Sequence, residues 1–241
     1  FIISFFVSII PQFEKNLMNA KKETLKELTQ SAWSVLKEHH QNYQDSLLTL
    51  EEAKKKAARQ IEQMRYGPAR KDYFWITDQH PRMVMHPYRT ELIGQSLTDY
   101  KDSHGKKLFV KAVEIVQEKN DGFIDYYWQW KDDTTRIVPK LSYVKGFGPW
   151  GWIIGTGIYL EDVRDEISHL ENRLLLISAA IALVIILTWI YVIRQSLKLE
   201  FKRRAAEQNL RLSRQKYKSL VEASNDGTLM LVNDQVIYHN F

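Results

Sequence analysis

Lys140 stands between Pro139 and Leu141 in a run otherwise rich in apolar and aromatic residues, and it is the best candidate for a cation that meets a small anion. Such an anion needs a positive charge and hydroxyl or imidazole donors, set in apolar walls so that water does not fully screen the attraction. His86 is the next donor, and it could equally serve the turn into Pro87. Strand alternation puts Tyr73 and Trp75 on a shared face, and does the same for Tyr126 with Trp128 and for Lys140 with Ser142. Aromatic walls with a few polar tips are the composition of a small-molecule pocket. Tyr143 points away from Lys140 in a regular strand, so both line the pocket only if that strand twists or bulges. Arg65 could meet a ligand carboxylate or pair with Asp72 or Asp78, and the structural role is the expected one. Trp152, Gly155, Thr156 and Gly157 are read as holding the last strand to its neighbours.

Other chemistries lack their parts. His80 and His86 lie near Asp78, but no nucleophile with an orienting third group follows, so no catalytic residue is assigned. The pairs His39–His40 and His80–His86 lack the spacing for two ligands on one helix face, and the adjacent pair reads as part of a solvated helix, so no metal or cofactor is expected. The chain has no cysteine, which removes disulfides and thiolate ligands.

The elements that must position these residues follow from periodicity and punctuation. Residues 12–65 read as helix, with Leu25, Leu28, Ala32, Val35 and His39 forming a narrow stripe at three-four spacing. The pattern breaks at 45–49, where Thr49 and Glu52 form a capping box that starts a fresh helix, and Gly67-Pro68 ends it. A hairpin is expected from residues 73–76 and 82–86 around the turn at Asp78 to Pro81. An amphipathic helix over 108–119 precedes strands at 122–130, 138–145 and 151–159, the first turn being residues 131–135. A meander of about five antiparallel strands with one crossover helix, behind a long helix, is an α+β arrangement.

Residues 174–193 carry no charge and, at about 1.5 Å per residue, are long enough to cross a hydrocarbon core of about 30 Å. Trp189, Tyr191 and Arg194 suit an interfacial boundary. Residues 1–10 are apolar but too short to span, and read as the end of a first transmembrane helix. Lys and Arg crowd residues 194–218, whereas residues 161–173 are mainly acidic, so the C-terminal side is expected to be cytoplasmic and residues 11–173 to lie outside. The formal net charge of +5 is thus a topology signal and calls for no nucleic-acid partner. Residues 194–216 read as a charged signalling helix, and 217–241 turn from helix through Asn225-Asp-Gly227 into a strand, then a turn at Asn233 and a second strand.

The order Arg65-Tyr-Gly67, Asp72-Tyr-Phe-Trp-Ile76, Asp78, Met85-His-Pro87, Gly94, Asp102, Gly105-Lys106 continues through Tyr126-Tyr-Trp128, Pro139 to Val144, Trp150-Gly-Trp152 and Ile154 to Tyr159. In that order and spacing the chain, from about Leu25 to Val163, resembles single Cache domains of the second type. The segment from Gln129 to Asp133 departs from the family's more usual Pro- and Gly-containing turn. The resemblance implies a long membrane-proximal helix packed on a PAS-like antiparallel sheet, flanked by two transmembrane helices, with a small ligand cupped against one sheet face. It further implies a receptor in the inner membrane with its sensor domain periplasmic or extracellular, binding a short organic acid. The ligand-binding set expected is Tyr73, Trp75, His86, Tyr126, Trp128, Lys140 and Tyr143. Residues 217–238 resemble the start of a PAS domain, which points to a sensor histidine kinase with a response regulator as partner. A diguanylate cyclase, a chemotaxis receptor, or a membrane anchor whose outer domain binds a protein are the alternatives. Pairing into a parallel homodimer is expected, with the stripe from Leu25 to His39 and the helix after Arg194 near the twofold axis.

Overall fold

A computed structural model describes the backbone of residues 2–223, 228–232 and 235–240, and the side chains of residues 10–223. Two compact units divide the chain at Leu174/Leu175. Helix α1 (Ile2–Gln44) opens the first unit, and α2 (Leu50–Gln63) folds back on it. The break is where Thr49 places it. The Thr49 hydroxyl accepts from the Glu52 N–H at 3.3 Å, while the Glu52 carboxylate accepts from the Thr49 N–H at 2.9 Å. Two otherwise unpaired backbone donors are satisfied reciprocally, and a new helix starts.

The strands follow as β1 (Arg65–Tyr66), β2 (Asp72–Asp78), β3 (Met83–Met85), β4 (Asp121–Trp130), β5 (Asp133–Phe147) and β6 (Trp152–Tyr159), with α3 (Leu108–Lys119) before β4. They form one antiparallel sheet in the order β1-β2-β6-β5-β4, with β3 also paired to β2. The expected meander holds only for β4-β5-β6. β2 lies beyond β6, because the first and last long strands pair. β2, β4 and β5 run longer than expected while β3 and β6 are slightly shorter, and the turn after β4 shrank to Lys131 and Asp132, since Trp130 already pairs with Asp133.

The sheet is covered on both faces. On one, Ala32 and Leu36 of α1 meet Ala53, Ala57 and Ile61 of α2 over Phe74, Ile76, Phe147, Trp152 and Ile154. Alanine at i, i+4 spacing lets the helices approach closely. The Trp33 indole donates to the Gly146 carbonyl at 2.9 Å, tying α1 to the end of β5. The buried line on α1 is therefore Leu25, Thr29, Ala32 and Leu36, facing the chain's own sheet, whereas Leu28, Val35 and His39 are half-buried beside it. The expectation of a solvated His39–His40 pair is corrected too. His39 Nε2 bonds the Gln60 side chain at 2.8 Å, and His40 packs edge-on against Phe147 and Trp150.

On the other face α3 lays Phe109, Ala112, Val113 and Val116 over Ile124, Val144 and Ile153. The loop between β3 and α3 adds Leu92 and Leu97, and Asp102 pins it down. The Asp102 carboxylate accepts from the N–H groups of His104, Lys106 and Tyr127 at 2.8–3.0 Å. Burial alone would raise its pKa, but these donors outweigh it and hold the carboxyl below its usual range.

Helix α4 (Leu160–Glu222) leaves directly from β6 and contains the only stretch, among the described residues, long and apolar enough to cross a membrane. In the second unit β7 (Thr228–Val232) and β8 (Gln235–Asn240) pair as an antiparallel hairpin, matching the expected pair of strands. The expected turns at Asn225-Asp-Gly227 and at Asn233 lie outside the described residues, as do the side chains of residues 1–9 on which the first membrane segment was read.

Candidate functional site: a buried lysine in an aromatic chamber

Register decides which side chains meet. Lys140 pairs with Tyr126 on β4 and with Tyr159 on β6, and Trp75 pairs with Gly155. Residues directly opposite point to the same face. Tyr73, Trp75, Tyr126, Trp128, Lys140, Ser142 and Tyr159 therefore share the face that α3 and the β3–α3 loop cover. A β-carbon at Gly155 would lie 2.4 Å from Trp75 Cζ2, and one at Gly157 would lie 2.2 Å from Ser142 Oγ. The two glycines let Trp75 and Ser142 lie across β6, which is a specific form of the strand-holding role expected of them.

Lys140 is 1 % exposed. Its ammonium sits 4.0 Å from the centroid of the Tyr73 ring and 4.6 Å from that of Tyr159, and donates to Tyr159 Oη at 3.3 Å. No carboxylate among the described residues forms an ion pair with it. Ring faces thus replace water around the charge, a contribution of about 2 kcal/mol or more when desolvated. Burial is the main cause of a pKa lowered to about 7, which the charge of Lys131 favours and that of Asp72 opposes.

His86 is equally buried, with its ring 4.8 Å from Tyr73 and 5.7 Å from Trp128. Nδ1 accepts from the N–H groups of Tyr88 and Arg89 at 3.2 and 2.9 Å. An acceptor at Nδ1 leaves the proton on Nε2 in the neutral ring. The ring stays neutral because burial first, and then Lys140, Arg89 and Arg65, hold its pKa well below the imidazole range. One nitrogen orders the turn after Pro87, as one of the two expected roles has it, and the other makes no hydrogen bond.

His86 Nε2 on this face has no partner, and Tyr73 Oη, Trp75 Nε1 and Trp128 Nε1 are only weakly satisfied, Tyr73 approaching Trp128 and Tyr159, and Trp75 approaching the Tyr126 hydroxyl. The side chains of Trp75, His86 and Trp128 pack with Leu108, Phe109 and Tyr126 so closely that no water-sized space remains between them. Buried donors without partners are uncommon and costly, each by about 1–3 kcal/mol. A carboxylate offers an acceptor for His86 Nε2 and a counter-charge for Lys140, provided the rings part to receive it.

Tyr143 is not brought into this group. β5 is regular at that point, so Tyr143 faces α1 and packs against Phe123 at 4.8 Å. Arg65 does not make the expected pair with Asp72 or Asp78; its guanidinium instead donates to the carbonyls of Glu62 and Met64 and lies over the Tyr88 ring. Tyr159, Leu108 and Phe109 were missed, and only the periodicity of the 108–119 helix could have suggested the last two.

Residues 17–172 match the family described as Single Cache domain 2. The chain belongs to this family. The Cache domain is similar to a solved periplasmic sensor domain of a chemotaxis protein, with 34 % identity, 59 % of this chain and 96 % of that one covered, and a TM-score of 0.56. It is similar also to a solved Cache chemosensory domain described in terms of carboxylic acid recognition, at 36 % identity, 60 % and 97 % coverage, and a TM-score of 0.57. Among curated proteins, the methyl-accepting chemotaxis protein McpP of Pseudomonas putida is 32 % identical over 77 % of this chain and 34 % of its own length. The sensor histidine kinase MctS of Rhizobium johnstonii is 30 % identical over 64 % and 32 %. The chain spans about a third of the length of the curated relatives it matches.

Proposed function

We propose that the chain is the sensory part of a membrane receptor that binds a short organic acid outside the membrane and signals through α4 to a cytoplasmic output module. The observation that carries this reading is the buried, ion-pair-free Lys140 near the unpartnered Nε2 donor of His86, among aromatic walls. The carboxylic acid named for the solved Cache relative supports it. Residues 1–10 and 174–193 are the two membrane segments of this reading, with 11–173 periplasmic or extracellular. The β7–β8 hairpin behind an uninterrupted α4 supports a PAS domain and hence a sensor histidine kinase acting on a response regulator. A diguanylate cyclase or a chemotaxis receptor is the alternative output.

A parallel homodimer completes the reading. Its contact would use Leu28 and the half-buried edge of α1, because Ala32 is committed to its own protomer. In membranes a cysteine at Leu28 should crosslink protomers while one at Ala32 should not, and absence of any crosslink along that edge would remove the dimer.

One observation favours a second reading, that of a membrane anchor with a structural outer domain: the chamber is tightly filled. The two readings separate in a thermal-shift screen of the chain in nanodiscs against acetate, propionate, amino acids and amines. A binding-competent domain gains stability by about RT ln(1 + [L]/Kd), whereas an anchor gains none.

A further inference from the structure

The departure from the family pattern at Gln129 to Asp133 forms the turn between β4 and β5, and its first residue is unusual. Lys131 has φ of +54°, a left-handed conformation normally left to glycine, yet it carries a long charged side chain that is itself buried. A residue held against its backbone preference signals a side chain doing something a glycine could not. Here the ammonium is 2.9 Å from Asp162 Oδ2, in the first turn of α4, and 4.4 Å from the centroid of the Trp130 ring. The other Asp162 oxygen accepts from Trp130 Nε1 at 3.0 Å. The turn therefore grips the head of α4 by an ion pair whose lysine is buried and whose aspartate is partly exposed.

The same turn reaches the chamber. The Lys131 N–H donates to Tyr159 Oη at 2.8 Å, and that oxygen is the one Lys140 bonds. Tyr159 is also the last residue of β6, one peptide bond before α4 begins at Leu160. The phenol oxygen thus joins three things: the chamber's cation, the β4–β5 turn and the start of the outgoing helix. A carboxylate competes for the Lys140 ammonium on better terms than a neutral phenol held at 3.3 Å, because it adds the attraction of an opposite charge to the hydrogen bond. A cleft of about 600 Å³, lined by Lys21, Leu28, Asp72, Val163 and Glu166 among others, flanks the same helix turn and leaves it room to shift.

Resting on the carboxylate reading above, we propose that Lys131 and Asp162 are the coupling pair that passes occupancy of the Lys140 chamber to α4, with Tyr159 as the joint between them. Neither residue touches the ligand. Their part is to make the first turn of α4 follow the Tyr159 hydroxyl.

The full chain, which has no native cysteine, can be spin-labelled at Gln117→Cys on α3 and Asn172→Cys on α4 in nanodiscs. Acetate or propionate should shift the inter-label distance distribution in the otherwise unaltered chain. With Lys131→Met or Asp162→Asn, acid affinity by calorimetry should stay within about threefold, while the shift falls to about half or less. Lys131→Arg keeps the pair and should keep the shift. The proposal is overturned if both charge-removing variants shift as fully as the parent, or if both lose affinity more than about tenfold, which would make them ligand-binding residues. Should the unaltered chain bind neither acid, the carboxylate reading and the proposal fall together. A response that survives loss of the pair overturns the proposal alone.

Discussion

Lys140 and Tyr159 are direct partners across β5 and β6, and the lysine's ammonium both hydrogen-bonds the phenol and lies over its ring. The contact keeps a cation in the middle of a sheet without a carboxylate beside it. Its energetic consequences are open to measurement.

Replacing Lys140 by methionine retains most of the stem's packing and deletes the charge. A hydrogen bond to a charged group is worth roughly 1.5–3 kcal/mol, so affinity for acetate or propionate should fall about ten- to a hundredfold. Calorimetry on the two proteins decides this. Equal affinities would remove Lys140 from the site.

With a pKa of about 7, Lys140 also ties both binding and stability to pH. A carboxylate needs the ammonium form, so affinity should be flat below neutrality and fall towards tenfold per pH unit above it, as binding must then take up a proton. Stability runs the other way. From about 7 to the ordinary value of 10.5 the folded protein binds fewer protons than the unfolded chain, so this group's contribution rises with pH and is lost as pH falls through about 7. Denaturant titrations at several pH values should show that slope in the parent and a reduced slope in Lys140→Met.

His86→Asn separates the two nitrogens of the imidazole. An asparagine oxygen can take the place of Nδ1 and accept the N–H groups of Tyr88 and Arg89, but nothing replaces the Nε2 donor. Affinity for the acid should drop about tenfold with the melting temperature little changed. A large loss of stability with unchanged affinity in the remaining folded protein would assign His86 to the turn alone.

Gly155→Ala tests how the chamber wall is built. The new methyl group would press on the Trp75 indole, which Phe109 holds edge-on at 5.9 Å. Overpacking of this kind costs about 1–3 kcal/mol, readable as a lowered melting temperature. Tolerance of alanine at no cost would mean that Trp75 is free to move.

Local signals in the sequence were reliable wherever local physics decides structure. Thr49 and Glu52 mark the helix start because both halves of a capping box are three residues apart. Residues 108–119 show their helix because its apolar face repeats within a dozen residues. Alternation placed Tyr73 with Trp75, Tyr126 with Trp128 and Lys140 with Ser142, and in regular strands it set Tyr143 on the far face. That the three pairs share one face depends on the pairing of β2 with β6 and of β6 with β5, which no local pattern encodes. Tyr159 was invisible for the same reason, since its importance lies in standing opposite a residue nineteen positions earlier. Asp162 sat in an acidic stretch read only for its charge, and its partner Lys131 in a turn noted only as a departure.

Strand β5 serves two tenants. Lys140, Ser142 and Val144 belong to the chamber, while Tyr143 and Lys145 belong to the helix side, with Lys145 bonded to Gln30 of α1 at 2.8 Å. If the chamber is the ligand site as proposed, selection acting on ligand choice and selection acting on helix docking fall on alternate letters of one short word. A descendant could then exchange its chemical taste through the even-numbered positions and leave the attachment to its helices unaltered, which would make this strand a natural place for Cache domains to diversify.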